Sequence, residues 1–135
     1  MPAAGGPPIQ ITRHGGAAAI ESRDGFLYYS KHTTSPFSIW RVPVDCGSEV
    51  RIVDGLSYSI NFAVGERGIY FVAFGDTGDK PSVDFFDLAT GKRSTLVRLD
   101  KPFWFGMALA PGERSLLLSI VDSAGSNLML VDRFQ

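Results

Sequence analysis

One pattern recurs three times along this 135-residue chain at a spacing of about 44 residues, and few folds are built from such a period. The first copy is Ala19-Ile20-Glu21-Ser22-Arg23-Asp24-Gly25-Phe26-Leu27-Tyr28-Tyr29-Ser30, and the second is Phe62-Ala63-Val64-Gly65-Glu66-Arg67-Gly68-Ile69-Tyr70-Phe71-Val72. The third is Met107-Ala108-Leu109-Ala110-Pro111-Gly112-Glu113-Arg114-Ser115-Leu116-Leu117-Leu118-Ser119. Gly25 lies 43 positions before Gly68, and Gly68 lies 45 before Glu113, which takes its place in the third copy. Each copy is a short apolar strand, a polar turn and a second strand rich in aromatic and branched residues. A period of about 40–50 residues made of short strands is what β-propeller blades look like in sequence. The expected fold is therefore all-β: blades of four antiparallel strands, about three of them, within a larger or oligomeric propeller. A propeller is a scaffold for many functions, so this architecture by itself assigns none.

The rest of each repeat fits the same plan. Second strands are expected at residues 26–30, 69–74 and 115–121, third strands at 38–44, 82–88 and 127–132, and fourth strands at 49–53 and 93–99. Ile39, Arg41 and Val44 do not alternate cleanly, which predicts strands buried on both faces between neighbouring units. Pro43 predicts that pairing stops there. Residues 2–12 align with residues 43–53 at an offset of 41, so Ile9-Gln10-Ile11-Thr12 is expected to be a lone fourth strand. The boundaries are then 1–12 for that strand, 13–55 and 56–100 for two full blades, and 101–135 for a blade lacking its fourth strand, twelve strands in all. No segment has the 3.6-residue periodicity and caps of a helix.

Hydrophobic residues at 44% and charged residues at 20% suit an ordinary soluble core. A net charge of −1, from 13 basic and 14 acidic side chains, sets up no field that would draw nucleic acid to this segment. Cys46 is the only cysteine, so no intrachain disulfide forms. It sits in an Asp45-Cys46-Gly47 turn with nothing nearby to lower its pKa, and reads as a small loop residue. No apolar run reaches the roughly 18–20 residues that span a bilayer, so no membrane contact is expected. Met1-Pro2-Ala3-Ala4-Gly5-Gly6-Pro7-Pro8 has neither the basic region nor the apolar core of a signal peptide.

Ser22-Arg23-Asp24-Gly25 with Leu27-Tyr28-Tyr29 resembles the Ser-Pro-Asp-Gly-x-x-Leu-x-Tyr core of TolB-like, WD-type propeller repeats, and the third copy is a variant of it. Ile39-Trp40-Arg41-Val42-Pro43-Val44 resembles the strand that follows that core. The endings Gln10-Ile11-Thr12-Arg13-His14-Gly15-Gly16 and Leu128-Met129-Leu130-Val131-Asp132-Arg133-Phe134 are similar to the last blades of certain bacterial proteins. In those proteins a TolB-like propeller follows a winged-helix domain of transcriptional-regulator type. Arg23 replaces the usual proline, and the second copy has Glu66-Arg67 where Pro-Asp is usual; both are turn substitutions. The chain contains no helix-turn-helix, so DNA binding implied by the resemblance falls on none of its residues. The resemblance implies a cytoplasmic place if the chain belongs to such a regulator, and a periplasmic one if it is TolB-like.

The chemistry-bearing residues are sparse. A hydrolase nucleophile needs an oriented base, and the chain has no Gly-x-Ser-x-Gly elbow and only His14 and His32 as imidazoles. His14 is expected to make a structural hydrogen bond and His32 to be solvated. Asp76, Asp79, Asp84 and Asp87 suggest oxygen ligands, yet the alternating Asp-x-Asp-x-Asp-Gly loop of a calcium site is missing, so neither metal nor cofactor is expected. Lys92, Arg93, Arg98 and Lys101 form a modest basic cluster of the kind that guards sheet edges. Phe103-Trp104-Phe105 is an unbroken aromatic run, read either as inter-blade packing or as a binding surface. The function expected is a non-catalytic module that binds a protein, peptide or small ligand, as the sensing part of a regulator. The alternative is the propeller part of a hydrolase or peptidase whose catalytic residues lie outside this sequence. Three blades are too few to close a ring, so the expected assembly is a homodimer closing six blades by exchanging residues 9–12 if the chain is complete, and a poorly soluble fragment if it is not.

Overall fold

The computed structural model describes residues 5–31, 36–45, 47–75 and 80–123, and among these every regular element is a strand except one 3-10 turn at Pro111–Glu113. Strands β1 (Ala19–Glu21), β2 (Phe26–Lys31), β3 (Phe37–Pro43) and β4 (Val50–Leu56) form one antiparallel meander. Strands β5 (Phe62–Val64), β6 (Gly68–Ala73), β7 (Ser82–Asp87) and β8 (Arg93–Arg98) form a second. A separate hairpin of β9 (Phe103–Leu109) and β10 (Leu116–Ile120) follows. The expected third strand of the last repeat, residues 127–132, lies outside the described residues, as do His32, Cys46, Asp76 and Asp79.

All three repeat turns fall where the period puts them, but the shared glycine column serves two purposes. Gly25 has φ +80° and closes its turn with an N–H bond to the Ser22 carbonyl at 3.2 Å. Glu113 takes the same left-handed conformation at φ +57°, its N–H donating to the Ala110 carbonyl at 3.0 Å. Gly68 is needed for space instead: a Cβ there would sit 2.6 Å from the Phe85 ring and run into the Phe86 carbonyl.

The period is also written into the strand pairing. Between β3 and β4 the register passes from Ile39↔Val53 to Trp40↔Arg51, leaving Ile52 as an extra residue. Between β7 and β8 it passes from Val83↔Val97 to Asp84↔Thr95, leaving out Leu96, 44 positions on. A bulge bends its strand and interrupts the ladder, which discourages pairing along the outer edge.

The core lies between successive units, and β6 is buried from both sides. Its Ile69, Phe71 and Ala73 pack with Tyr28, Ile39, Val53 and Leu56 of the first meander, together with Phe62. The intervening Val72 faces the other way, onto Val83 and Phe103. Six fully buried large side chains, Tyr28, Phe62, Phe71, Ile39, Leu56 and Ile69, belong to the first of these layers. Burying each removes about 1.5–3 kcal/mol worth of apolar surface from water.

Two expectations are corrected. The meanders are not separate sheets: Leu56 pairs with Ala73, joining eight strands into one strongly curled half-barrel. Gly55, at φ +91°, turns the end of β4 toward β6, and Ser57 then donates both its N–H and its hydroxyl to the Val72 carbonyl at 2.9 Å. Residues 9–12 are not a strand either. Pro7 and Pro8 just before them offer no N–H to a ladder. The segment instead lies over the outer face of the first meander, where Ile9, Ile11 and Thr12 share a shallow cleft with Leu27 and the buried Tyr29.

Candidate binding surface

The aromatic run at the start of β9 meets two rings from elsewhere in the chain. Tyr58 comes from the turn that links β4 to β5, and Phe74 directly follows β6. Tyr58 is the hub: its ring centroid lies 4.8 Å from Phe105, 5.6 Å from Phe103, 5.8 Å from Phe74 and 6.5 Å from Trp104. Trp104 and Phe105 stand 5.0 Å apart, and Phe74 and Phe103 6.1 Å. Most of these pairs are edge-on or tilted, the arrangements that ring quadrupoles favour.

The run divides between the two readings given to it. Phe103 is 7% exposed and belongs to the core with Val72 and Val83. Trp104, Phe74 and Phe105 are 56%, 51% and 44% exposed, so three large rings meet water around Tyr58. Loose rings would cost conformational entropy on binding anything; here the backbone beneath them is fixed. Asn61, fully buried, donates its amide N–H to the Trp104 carbonyl at 3.1 Å and accepts the Gly106 N–H at 3.0 Å. Its own backbone is held by bonds to the Tyr58 carbonyl and from Val72 N–H, at 3.2 and 3.0 Å. Asn61 thus holds β9 through its side chain and the Tyr58 turn through its backbone.

Near the start of β9 two lysines among the described residues are ion-paired. Lys101 is paired with Asp122, and Lys80 with Asp100, whose carboxyl is held below its usual range chiefly by the lysine hydrogen bond. At the opposite end of β9 the three repeat turns converge on a cleft of about 670 Å3, lined by Arg23, Asp24, Glu66, Arg67 and Glu113 among others. Arg23 pairs with Glu66 at 3.6 Å there, and the Glu113 carboxylate accepts the Glu66 N–H, so the cleft holds four acidic side chains against two basic ones.

The other residues singled out by sequence have structural partners. Asp84, 2% exposed, accepts hydrogen bonds from the Ser82 hydroxyl at 2.7 Å and Arg93 Nε at 2.6 Å. Arg93 also stacks over Phe71 at 4.9 Å and reaches the Asp54 carbonyl, so it ties the two meanders together rather than guarding an edge. Asp87 caps its turn by accepting the Ala89 and Thr90 N–H groups and the Thr90 hydroxyl, and these bonds lower its pKa. Among the described residues no group of His, Cys, Asp or Glu could hold a metal.

His14 contacts Glu49 at 3.4 Å. That carboxylate also takes Lys31 Nζ at 2.7 Å and the Arg13 N–H at 3.2 Å, and the lysine hydrogen bond above all brings its pKa down to about 2. Lys31 in turn covers the Trp40 ring at 4.2 Å. The buried Tyr29 hydroxyl is pushed up to about 12, by burial first and the Glu49 charge second. This cluster fastens residues 13–14 to the first meander.

Tyr58, Phe74 and Asn61 went unnoticed in the sequence. They lie between the repeated strands, where an aromatic residue or an asparagine looks like ordinary turn filling. The one available signal was that Tyr58 precedes the second copy by four residues, as Phe103 precedes the third. Comparisons with protein-family models, curated proteins and solved structures yield no match to this chain.

Proposed function

We propose that this chain is a non-catalytic TolB-like β-propeller module that binds a protein or ligand through the aromatic surface of Tyr58, Phe74, Trp104 and Phe105, as the sensory part of a transcriptional regulator. The blade reading is supported by the bulges recurring 44 residues apart and by the burial of β6 between two like units. The observation that carries the functional reading is the exposure of Phe74, Trp104 and Phe105 on a backbone locked by Asn61. Exposed aromatics that are held in place gain contact area without losing much freedom, which is why they recur as anchors of binding surfaces.

The test is a thermal-shift screen against peptides, oligosaccharides and small metabolites, run in parallel on the wild type and a Trp104→Ala/Phe105→Ala variant. Compounds that raise the wild-type midpoint should leave the variant unmoved. Ligands that stabilise both equally would place binding elsewhere and sink the proposal.

A further inference from the structure

The hairpins β1–β2, β5–β6 and β9–β10 share one register. Their closing pairs are Glu21↔Leu27, Val64↔Ile69 and Leu109↔Leu116. Beyond each pair one more bond runs from N–H to carbonyl: Ser22 to Phe26, Gly65 to Gly68, Ala110 to Ser115. Leu27, Ile69 and Leu116 are therefore equivalent, and Tyr29, Phe71 and Leu118, two residues on, share a face with them. In the second unit this face is fully buried, Ile69 and Phe71 forming one core with Tyr28 and Ile39 of the unit before. In the third, Leu116 and Leu118 pack with Val72 and Val83 of the second. The same face of the first unit, Leu27 and Tyr29, meets Ile9, Ile11 and Thr12 of its own chain instead.

That cover fits less closely than a unit does. Residues 9–12 form no strand and share with the face a cleft of about 260 Å3. Leu27 is only half-buried beneath them, and Ile9 is 65% exposed. Interiors favour close packing, which the buried Ile69 and Phe71 achieve. Gly15, at φ +85°, provides a joint between this segment and β1. The surface that would fit the face is also present. The pairs Ile20↔Tyr28 and Ala108↔Leu117 make Leu117 the equivalent of Tyr28, the residue that meets Ile69 and Phe71. Leu117 is 65% exposed.

We propose that Leu27 and Tyr29 form a docking face for a second copy of this chain, that the Leu117 surface of that copy is its occupant, and that residues 9–14 are a displaceable strap over it. The contact continues an interface that the chain already makes between its own units, with equivalent residues on both sides. The strap and the second copy compete for one face. Association is then weakened by the fraction of chains whose strap is closed.

Sedimentation of the full chain tests this. Ile11→Asp, which puts a charge against Leu27 and Tyr29, should release the strap and tighten self-association roughly tenfold or more. Two further variants are each expected to be monomeric: Ile11→Asp/Leu117→Lys and Ile11→Asp/Leu27→Lys. Mixed together they should form a one-to-one complex, since one keeps the docking face and the other its occupant. Circular dichroism checks that each is folded. Self-association of Ile11→Asp/Leu27→Lys alone would mean that Leu117 meets another Leu117, and the docking face falls. An Ile11→Asp chain that associates no better than the wild type removes the strap. The wild type gives a second reading without any substitution, because the Arg13 N–H is bonded to Glu49 only while the strap is down. Its hydrogen exchange should quicken between a concentration at which the chain is monomeric and one at which it associates. Exchange that slows or stays the same on association overturns the proposal.

Discussion

Asn61 holds Trp104 through the main chain, its amide nitrogen 3.1 Å from the Trp104 carbonyl, while its amide oxygen takes the N–H of Gly106. It thereby stands in for a neighbouring strand along the free edge of β9. Removing it leaves a part-buried donor and acceptor without partners, where a fully buried group would cost about 1–3 kcal/mol. Asn61→Ala should therefore lower stability by about 2–4 kcal/mol in urea denaturation. Asn61→Asp should do worse at neutral pH, since a carboxylate would face the Trp104 carbonyl. An alanine variant within 0.5 kcal/mol of the wild type, a threshold of about one weak hydrogen bond, would show that β9 does not depend on this contact.

The pair Arg93 and Asp84 predicts a different pattern. Asp84 is nearly inaccessible, while the arginine side chain is 41% exposed, so the carboxylate carries most of the burial cost. Truncating one partner of a buried pair strands the other's charge, at about 3–5 kcal/mol, while replacing both with apolar residues is far milder. Arg93→Met should be strongly destabilising and Arg93→Met/Asp84→Leu partly restored. A double variant no better than the single one would mean that the pair earns its place through Phe71 stacking and the Asp54 carbonyl alone.

Much of this fold was legible in the sequence, because strands and turns leave local marks. Gly25, Gly68 and Glu113 located the three turns, and Pro43 the end of β3. What escaped depends on partners far along the chain. Ile9-Gln10-Ile11-Thr12 alternates as a strand should, but alternation says nothing about whether an edge is free to pair with. The joining of the meanders turns on Gly55 and Ser57, two residues whose meaning comes only from the nearness of Val72. Half of the aromatic surface was visible as Phe103-Trp104-Phe105; Tyr58 and Phe74 reach it through the fold and not through the repeat.

Gly68 offers a sharp steric test. A methyl group there would meet the Phe86 carbonyl, which belongs to the β6–β7 ladder, and the Phe85 ring. Backbone in a ladder cannot step aside cheaply, and overpacking of this kind costs about 1–3 kcal/mol. Gly68→Ala should fall in that range by chemical denaturation, whereas Gly91→Ala has open space and loses only through its left-handed φ of +68°. Equal losses at the two positions would remove the steric argument.

Glu49 makes stability depend on acid. Its folded pKa of about 2 lies below the ordinary value of 4.5, so the folded state favours the carboxylate. The stabilisation is complete above about pH 5 and is lost as pH falls through the window from 4.5 to 2, where the unfolded chain takes up the proton first. Residues 13–14 should loosen in the same window, since Glu49 holds them. Denaturation midpoints measured from pH 7 to pH 2 should fall less for Glu49→Gln than for the wild type. Parallel curves would show that the acid sensitivity arises elsewhere.

The last prediction concerns the outer side of the final hairpin. Leu116 and Leu118 of β10 pack inward with Val72, Val83 and Phe103, so Leu117 between them points the other way. It is 65% exposed, and its cross-strand neighbour Ala108 is exposed too. In the second unit the corresponding face, with Val72 and Val83, is buried against Phe103 of β9. A face that is covered in one unit and open in the next suits a like partner, and a second copy is one that solution always contains. Face-to-face association through Leu117 is the contact expected. Light scattering should show self-association at high protein concentration, and Leu117→Lys should return the chain to a monomer with an unchanged circular-dichroism spectrum. A wild type that stays monomeric under the same conditions, with no gain in solubility from Leu117→Lys, would mean that this face needs no second copy.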